Sequence, residues 1–312
     1  MPLPSFLIAG AAKCGTTSLA GYLAEHPEVH VPPQKELEFF NRRYLWERGP
    51  GWYSEQFAAA GQARAIGEAT PNYMFYPWAV ERIAQLLPDV RLIVCLRDPV
   101  DRAYSHYLHW REGMGFEGRS FERAVEDELA AGAEEVADHR HDSSPPYYAY
   151  LARGLYHLQL ERLERHFGRE RIHVLLLDDL KADPQAAFAA VCRHLGVDES
   201  FVPPNLGERE NPFMRHRGAW AFRFLVRRRI LQRLPPRLRR LTTQRILAPR
   251  PRPVPPMDPA VRARLAAHFE EPNARLAAWL GRSLLGWGSS GIGAEADDQR
   301  LRSLRKGSST TL

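Results

Sequence analysis

The stretch Phe6-Leu-Ile-Ala-Gly-Ala-Ala-Lys-Cys-Gly-Thr-Thr-Ser18 decides the fold of this 312-residue chain. An apolar run ends at a glycine, a loop of small residues follows, and from Ser18 onward the sequence has helical character. A strand, a glycine-containing loop and a helix in this order are typical of the first unit of a parallel α/β sheet. In such a loop, successive backbone N–H groups and the helix N-terminus point at a bound anion. The stretch therefore predicts a phosphate-binding loop.

The loop differs from a Walker A loop. In a Walker A loop a lysine follows the second glycine directly, and a Ser or Thr then binds magnesium. Here Thr16 follows Gly15, and Lys13 lies two residues before that glycine. The cation therefore approaches the anion from the loop rather than from the helix. A plain glycine turn would explain Gly10 and Gly15, but it would not explain a lysine beside a Thr-Thr-Ser run.

Strand and helix patterns alternate along the rest of the chain. Asp98 and Pro99 end an apolar run and are a good N-cap and a good first residue for a helix. Because strands that alternate with helices form βαβ crossovers, we expect a P-loop-like, three-layer α/β fold with a central, mostly parallel sheet flanked by helices. We predict strands at 91–96 and 172–177, and helices at 18–25, 99–111, 121–131, 155–167, 184–195 and 259–280.

The sequence shows no convincing domain boundary before residue 289. Residues 249–259 are a proline-rich connector, residues 143–146 are rich in turn-forming residues, and no internal repeat is visible. From residue 289 onward the chain lacks apolar periodicity. We therefore expect one domain over 1–288 and a disordered C-terminal tail over 289–312.

The composition is that of a soluble globular protein, with 44% hydrophobic residues, 26% charged residues and a mean hydropathy of −0.41. These values exclude collagen-like, coiled-coil and disordered classes. No apolar run approaches the roughly 20 residues that span a bilayer, and no signal-peptide pattern precedes Lys13. Three cysteines, Cys14, Cys95 and Cys192, lack the spacing of disulfide scaffolds or zinc sites. We therefore expect a cytoplasmic protein.

Arginine dominates the basic residues. Only four of the 43 basic residues are lysine, a bias typical of GC-rich bacterial genomes. Residues 215–252 contain thirteen arginines and no Asp or Glu, in a chain whose net charge is +6. Such a segment attracts a polyanionic substrate, nucleic acid or an anionic membrane surface. A solvated helical face, with Trp220, Phe224 and Leu231 toward the core, explains the segment equally well.

The glycine-containing loop resembles a loop of a known family. Ala12-Lys-Cys-Gly-Thr-Thr-Ser-Leu19 is similar to the 5′-phosphosulfate loop of sulfotransferases that use 3′-phosphoadenosine 5′-phosphosulfate (PAPS). The family's usual first residue is proline, and Ala12 departs from it. The resemblance implies that Lys13 stabilises the bridging oxygen of the departing phosphate. It also implies that the loop and the first helical turn bind PAPS through Cys14, Gly15, Thr16, Thr17 and Ser18.

A second motif follows the first helix. Lys35-Glu-Leu-Glu-Phe-Phe40 resembles the K-E-x-x-F-F segment of the heparan-sulfate-type branch, which implies that Glu36 is the general base. Sulfuryl transfer to an alcohol requires removal of the hydroxyl proton, and a positioned carboxylate contributes about 10² to 10⁴ in rate. Lys35 and Phe39 are expected to contact the acceptor. The alternative to a catalytic role is an ordinary charged turn that precedes two aromatic core residues, Phe39 and Phe40. His30 is the alternative base, because other branches of the family use histidine.

A third motif begins at the strand end Arg97-Asp98-Pro99 and extends to Ser105. It resembles the family's 3′-phosphate motif, an arginine at a strand end and a serine eight residues later. An arginine fork and a hydroxyl two turns into the helix can converge on one phosphate. The resemblance therefore implies that Arg97 and Ser105 hold the 3′-phosphate of PAPS.

Two further resemblances complete the predicted site. Gly67-Glu-Ala-Thr-Pro-Asn-Tyr73 resembles the segment that lines the acceptor cleft, which implies acceptor contacts by Thr70, Pro71 and Asn72. Arg250 and Arg252 fall where the family has a basic loop that clamps the nucleotide, although prolines replace its glycine. In all, the resemblance covers about residues 1–196 and 250–287.

These motifs predict a PAPS-dependent sulfotransferase that acts on a hydroxyl or amine of a carbohydrate or glycosylated metabolite. No metal is expected, because Lys13, the loop amides and the helix N-terminus supply the positive charge. Nucleic acid is not an expected partner, and weak contact of residues 215–252 with a membrane surface stays open. The first rival is a P-loop nucleotide kinase or NTPase with Asp98 as a magnesium ligand. The second is a non-enzymatic binder of nucleic acid or membranes built on residues 215–252.

Overall fold

The computed structural model describes residues 2–34, 36–137, 148–208, 214–216, 249–251, 254–284 and 286–288. Its centre is a five-stranded, wholly parallel sheet with the spatial order β2-β3-β1-β4-β5. The predicted α/β fold with a parallel central sheet is thereby confirmed. The strands are β1 (Phe6–Gly10), β2 (Val29–His30), β3 (Ala65–Ala69), β4 (Arg91–Leu96) and β5 (Ile172–Leu176).

The central strand β1 is buried along its whole length. It pairs with β3 on one side and β4 on the other, so that Phe6 lies beside both Gly67 and Arg91. A continuous apolar run is what a parallel strand needs when helices cover both faces of its sheet. The apolar run that opens the decisive stretch therefore forms the middle of the core.

Helices flank the sheet. Asp98 caps the helix that follows β4, because its side chain accepts hydrogen bonds from the backbone N–H groups of Val100 and Asp101. The helices are α1 (Thr16–Ala24), α2 (Arg43–Trp46), α3 (Gly49–Glu55), α4 (Pro77–Leu86), α5 (Pro99–Leu108), α6 (Phe121–Ala131), α7 (Ala133–Ala137), α8 (Tyr156–Phe167), α9 (Leu177–Ala182), α10 (Pro184–Leu195), α11 (Pro259–His268) and α12 (Glu270–Leu280). No helix in these described ranges combines the length and apolarity needed to cross a bilayer.

The structure differs from the predicted elements in several respects. Strands β2 and β3 and helices α2, α3, α4, α7 and α9 were not predicted. The helix predicted at 259–280 is two helices that meet at Phe269. Pro272 explains the break, since it has no N–H for the carbonyl of His268 and its ring crowds that carbonyl. Helix α5 ends before residue 111, and a π-helical turn, His109–Gly113, continues from it.

The C-terminal third of the chain is described only in part. Strands β6 (Met214–His216) and β7 (Pro249–Pro251) pair antiparallel, with Arg215 opposite Arg250. The rest of the arginine-rich segment lies outside the described residues, as do its proposed core-facing side chains, the turn at 143–146 and the tail at 289–312. A single domain over 1–288 therefore stays a prediction.

The strand order places a topological switch point at the carboxyl end of β1. From β1 the chain moves to β2 and β3 on one side of the sheet and then to β4 on the other side. In open parallel sheets, ligands bind outside the carboxyl ends of the strands at such a switch point. The loop after β1 lies there, and the backbone N–H of Ala11 donates to the carbonyl of Cys95 in β4 at 2.8 Å.

Candidate active site

The loop after β1 has the geometry of an anion-binding loop. Gly15 precedes α1 with a φ of 86°, in the left-handed region that favours glycine. The first N–H groups of a helix have no intrahelical partner, and Gly15 has no side chain with which to cap them. The first turn of α1, formed by Thr16, Thr17 and Ser18, therefore presents its N-terminus to the carboxyl edge of the sheet.

Cys14 contributes to this loop differently. Its thiol is buried and lies 3.6 Å from the hydroxyl of Tyr156, which donates to the carbonyl of Arg97 at 3.0 Å. Burial raises the pKa of the Cys14 thiol, so the group stays protonated near neutral pH. The Cys14 side chain therefore faces the protein interior and connects the loop, through Tyr156, to the end of β4. Only the backbone of Cys14 can contact a bound sulfuryl donor.

Lys13 is half-buried at the centre of the site. Burial is the largest influence on its ammonium group and lowers the pKa of Lys13. Arg102 and Arg97 lower the pKa further, while the carboxylate of Glu36 opposes them. The structure thus brings the predicted leaving-group cation, the predicted base and two guanidinium groups into one electrostatic neighbourhood.

The segment that carries Glu36 has an unusual backbone. Among the described non-glycine residues, a positive φ occurs at Lys13 (73°), Glu36 (53°) and Glu38 (51°) alone. Such a conformation costs on the order of 1 to 3 kcal/mol per residue and is retained where the surroundings enforce it, often at functional sites. All of these outliers belong to the two N-terminal motifs. Glu36 is exposed, and Lys35 lies outside the described residues.

Phe39 lies beneath this segment rather than at its surface. Its side chain is 0% exposed and stacks on Tyr53, with 4.3 Å between ring centroids. Phe40 packs against the same pair of rings. The predicted acceptor contact of Phe39 is therefore corrected to a packing role, because an acceptor cannot reach a fully buried ring in this conformation.

The predicted acceptor-cleft residues follow β3. Thr70 and Pro71 are buried, and Asn72 is partly exposed. The side-chain oxygen of Asn72 accepts a hydrogen bond from Arg153 at 2.9 Å, and Arg153 also donates to Tyr76 at 2.8 Å. Of the three predicted side chains, Asn72 alone is partly exposed, and the Thr70 hydroxyl donates to the buried Glu68 carboxylate at 2.6 Å.

The predicted 3′-phosphate residues lie around the first turns of α5. Arg97 pairs with Asp101, and Ser105 follows Asp101 by four residues, so these side chains share one face. Arg262 of α11 donates to the same Asp101 at 2.5 Å. Arg250 lies in β7, and Arg252 is outside the described residues.

Asp98 is fully engaged by backbone donors. One of its oxygens accepts from Val100 at 2.8 Å and Asp101 at 3.4 Å, and the other accepts from the backbone N–H of Gly288 at 2.7 Å. A carboxylate used as a helix cap and as an anchor for the C-terminal segment is poorly available to a magnesium ion. This geometry removes the main support for a nucleotide kinase.

Three residues at the site were not predicted from the sequence. Arg102 is completely buried and donates to the carbonyl of Tyr150 at 2.5 Å, beneath the loop. Glu68 is 1% exposed at the end of β3. Arg262 comes from a distant helix. A buried charge has no signature in one sequence, although Glu68 and Arg102 stand inside motifs that were recognised for other residues.

The fold and this site define a P-loop-like α/β protein with an anion-binding loop. The sulfotransferase domain family model matches residues 3–216, which is more than half of the chain, and the chain belongs to that family. The predicted enzyme class, a sulfotransferase, is thereby confirmed.

Similar proteins agree with this membership. The chain is 28% identical over 295 residues to bifunctional heparan sulfate N-deacetylase/N-sulfotransferase 3 of Homo sapiens, covering 91% of this chain and 31% of that one. It is 25% identical over 224 residues to heparan sulfate glucosamine 3-O-sulfotransferase 5 of Homo sapiens, covering 72% and 61%. The chain thus spans less than two thirds of either relative. A sulfotransferase structure from Alicyclobacillus acidocaldarius superposes with a TM-score of 0.67 at 29% identity, covering 93% of this chain and 100% of that one.

Proposed function

We propose that the protein transfers the sulfuryl group of PAPS to a hydroxyl or amine of a carbohydrate or glycosylated metabolite. The observation that carries this proposal is that Lys13, in the loop after β1, lies within electrostatic range of the Glu36 carboxylate, in a chain of the sulfotransferase domain family. A cation for the leaving group and a carboxylate for the incoming group are the two charges that sulfuryl transfer requires on opposite sides of sulfur.

The donor half of the site is the loop after β1 together with the start of α5. The amides at the N-terminus of α1 and the Lys13 ammonium would face the 5′-phosphosulfate, and Arg97 with Ser105 would hold the 3′-phosphate. During transfer the bond between sulfur and the bridging phosphate oxygen breaks, and negative charge develops on that oxygen. Lys13 stabilises this charge without reorganisation, because its position is already set by the loop.

The acceptor half of the site contains Glu36. As the acceptor oxygen or nitrogen attacks sulfur, its proton passes to the Glu36 carboxylate. Glu36 is exposed, so a large acceptor can reach it. Asn72, held by Arg153, is the partly exposed polar side chain that we assign to acceptor binding.

A carbohydrate acceptor is supported by the relatives. Two of them are named for the sulfation of heparan sulfate, one at nitrogen and one at a 3-hydroxyl. The direct test is incubation with ³⁵S-labelled PAPS and desulfated heparan sulfate. We expect label on the polymer with the wild-type protein and little with the Glu36→Gln variant. Magnesium-dependent phosphoryl transfer from ATP, with no transfer of label from PAPS, would favour a nucleotide kinase instead.

We also propose a cytoplasmic location. Cys14, Cys95 and Cys192 are free, buried thiols, whereas proteins of oxidising compartments commonly pair their cysteines. Fractionation of cells that express the natural gene tests this, and recovery of the protein from an oxidising compartment would contradict it.

A further inference from the structure

Glu68 is a buried carboxylate at the end of β3 that collects several donors. Its oxygens accept hydrogen bonds from the hydroxyls of Tyr53 at 3.0 Å, Tyr73 at 2.6 Å and Thr70 at 2.6 Å. The backbone N–H of Leu37 donates to the same carboxylate. These donors match the roughly four acceptor positions of an ionised carboxylate. They counter the effect of burial, which raises the pKa of Glu68.

Two of the hydroxyls serve a second purpose. The oxygen of Thr70 accepts from the backbone N–H of Glu38 at 3.3 Å, and the oxygen of Tyr73 accepts from the backbone N–H of Phe39 at 3.1 Å. Because each hydroxyl donates its hydrogen to Glu68, its lone pairs are turned toward the segment. The successive amides of residues 37–39 are therefore bound by Glu68 or by hydroxyls that Glu68 orients.

This segment needs such support. Glu36 and Glu38 both have left-handed backbone conformations, which side chains disfavour. Hydrogen bonds to three consecutive amides hold residues 37–39 against relaxation to an ordinary conformation. Without these hydrogen bonds, the backbone of Glu36, which directly precedes Leu37, would lose its fixed position in the site.

We propose that Glu68 is a positioning residue, whose carboxylate holds residues 37–39 and thereby fixes the backbone position of the adjacent Glu36. The assignment rests on the proposed function, in which Glu36 is the base. Glu68 itself is buried and acts through the segment.

The chain offers a matched pair of variants. Tyr53→Phe and Tyr73→Phe each remove one tyrosine hydroxyl that donates to the same oxygen of Glu68. Only the Tyr73 hydroxyl also accepts from the segment, at Phe39. Thr70→Val and Thr70→Ser form a second pair, since serine keeps the hydroxyl that Glu38 and Glu68 contact. A general loss of stability would affect both members of each pair.

The first readout is amide hydrogen exchange of residues 36–40, which is independent of activity. We expect exchange at least about tenfold faster in Glu68→Gln, Tyr73→Phe and Thr70→Val, with Tyr53→Phe and Thr70→Ser close to wild type. Amides of α5 serve as the internal control and should keep their rates. Unchanged exchange in Tyr73→Phe, or equal loss of protection in the two tyrosine variants, would overturn the proposal.

The second readout is kinetic, with ³⁵S-labelled PAPS and desulfated heparan sulfate as the probe acceptor. A misplacement of about 1 Å costs about 10²-fold, so kcat should fall by that factor in Tyr73→Phe while the affinity for 3′,5′-ADP changes less than about twofold. In the Glu36→Gln background, Glu68→Gln should have no further effect on kcat, because both changes remove one function.

The two proposals fail differently. A fully active Glu36→Gln variant, or a wild-type protein that leaves the probe unlabelled, contradicts the proposed function, and the exchange result then still decides whether Glu68 holds the segment. An inactive Glu36→Gln variant beside a fully active Tyr73→Phe variant contradicts the positioning role alone.

Discussion

Arg97 and Asp101 form an ion pair at the start of α5, with 3.5 Å between a guanidinium nitrogen and a carboxylate oxygen. Arg262 donates to the other oxygen of Asp101 at 2.5 Å. Although burial opposes ionisation of Asp101, these two arginines hold the pKa of its carboxyl below the ordinary value. The carboxylate therefore stays charged and fixes two guanidinium groups on the face of α5 that carries Ser105.

This arrangement predicts nucleotide selection. If Arg97 and Ser105 hold the 3′-phosphate, the protein should bind 3′,5′-ADP at least about 100-fold more tightly than AMP, since a hydrogen bond to a charged group contributes about 1.5 to 3 kcal/mol. The Arg97→Ala variant should lose most of this preference. Isothermal titration calorimetry with both nucleotides measures it.

A control for this measurement lies on α11. Arg264 is on the same helix as Arg262 but pairs with Glu126 at 3.5 Å on an exposed surface. Arg264→Ala should therefore keep the wild-type preference. Equal affinity of the wild-type protein for the two nucleotides, or an unchanged preference in Arg97→Ala, would remove the assignment.

A second prediction concerns Lys13. In the proposed mechanism Lys13 stabilises the charge that develops on the leaving phosphate. Burial lowers the pKa of Lys13, and the nearby Glu36 carboxylate opposes this effect. Lys13→Ala should lower kcat by about 30- to 1,000-fold, or about 2 to 4 kcal/mol, by analogy with the loss of one preorganised donor. Lys13→Arg should also fail, because a wide planar fork does not replace a compact charge.

The matched control for Lys13 is Lys181. This lysine is exposed on α9 and pairs with Asp178 at 3.2 Å. Lys181→Ala should keep wild-type turnover under the same conditions. A Lys13→Ala variant that retains more than half of the wild-type turnover would show that the loop lysine is not the leaving-group cation.

The parts of the fold that were predictable depend on local sequence. Strand β1, its loop, strand β4 and the capped start of α5 follow from an apolar run, glycines and the Asp98-Pro99 pair. Strand β3 was not predictable in this way. Its five residues, Ala65–Ala69, include a glycine and a buried glutamate, both uncommon in strands, and it exists because it pairs with β1 and β2.

The parts of the site that were not predictable depend on long-range packing. Arg262 contacts Asp101 across 161 residues, and Gly288 contacts Asp98 across 190 residues. The sequence indicated that Glu36 and Lys13 belong to one site through motif order alone. It did not indicate that Glu68, a buried glutamate within the Gly67–Tyr73 motif, would bind the segment that carries Glu36.

A third prediction concerns stability at acidic pH. Burial lowers the pKa of His173 to about 4, with help from the stacked ring of His194, whose own pKa burial also lowers. A lowered pKa means that the unfolded chain binds protons more readily. The contribution of His173 to the free energy of unfolding is therefore complete above pH 6.5, the ordinary pKa of histidine. It is lost as the pH falls toward 4.

Urea denaturation at pH 7.5 and pH 5.0 tests this contribution. The free energy of unfolding should be lower at pH 5.0, and the share of His173 should be on the order of 2 kcal/mol. His173→Gln should reduce the difference between the two pH values by about that amount. The same pH dependence in the variant and the wild type would show that His173 does not carry it.

The last prediction assigns the base. Glu36 is exposed and interacts electrostatically with Lys13, whereas His30 ends β2 with one ring nitrogen buried and without a hydrogen-bond partner among the described residues. Glu36→Gln keeps the shape of the side chain but removes the proton acceptor, so kcat should fall by about 10²- to 10⁴-fold while affinity for 3′,5′-ADP stays nearly unchanged. His30→Asn should be mild by comparison.

The pH profile of kcat separates the two bases independently of mutation. Carboxylate and imidazole bases ordinarily titrate about two pH units apart, so a glutamate base keeps kcat level down to a lower pH than a histidine base. The profile must be measured where the protein is folded, because loss of the buried histidines' contribution to stability below about pH 6.5 would otherwise imitate a histidine limb. A fall of kcat near pH 6.5 in fully folded protein, together with an active Glu36→Gln and an inactive His30→Asn variant, would transfer the role of base to His30. The heparan-sulfate-type acceptor would then lose its support from the second motif, because that motif is tied to a glutamate base.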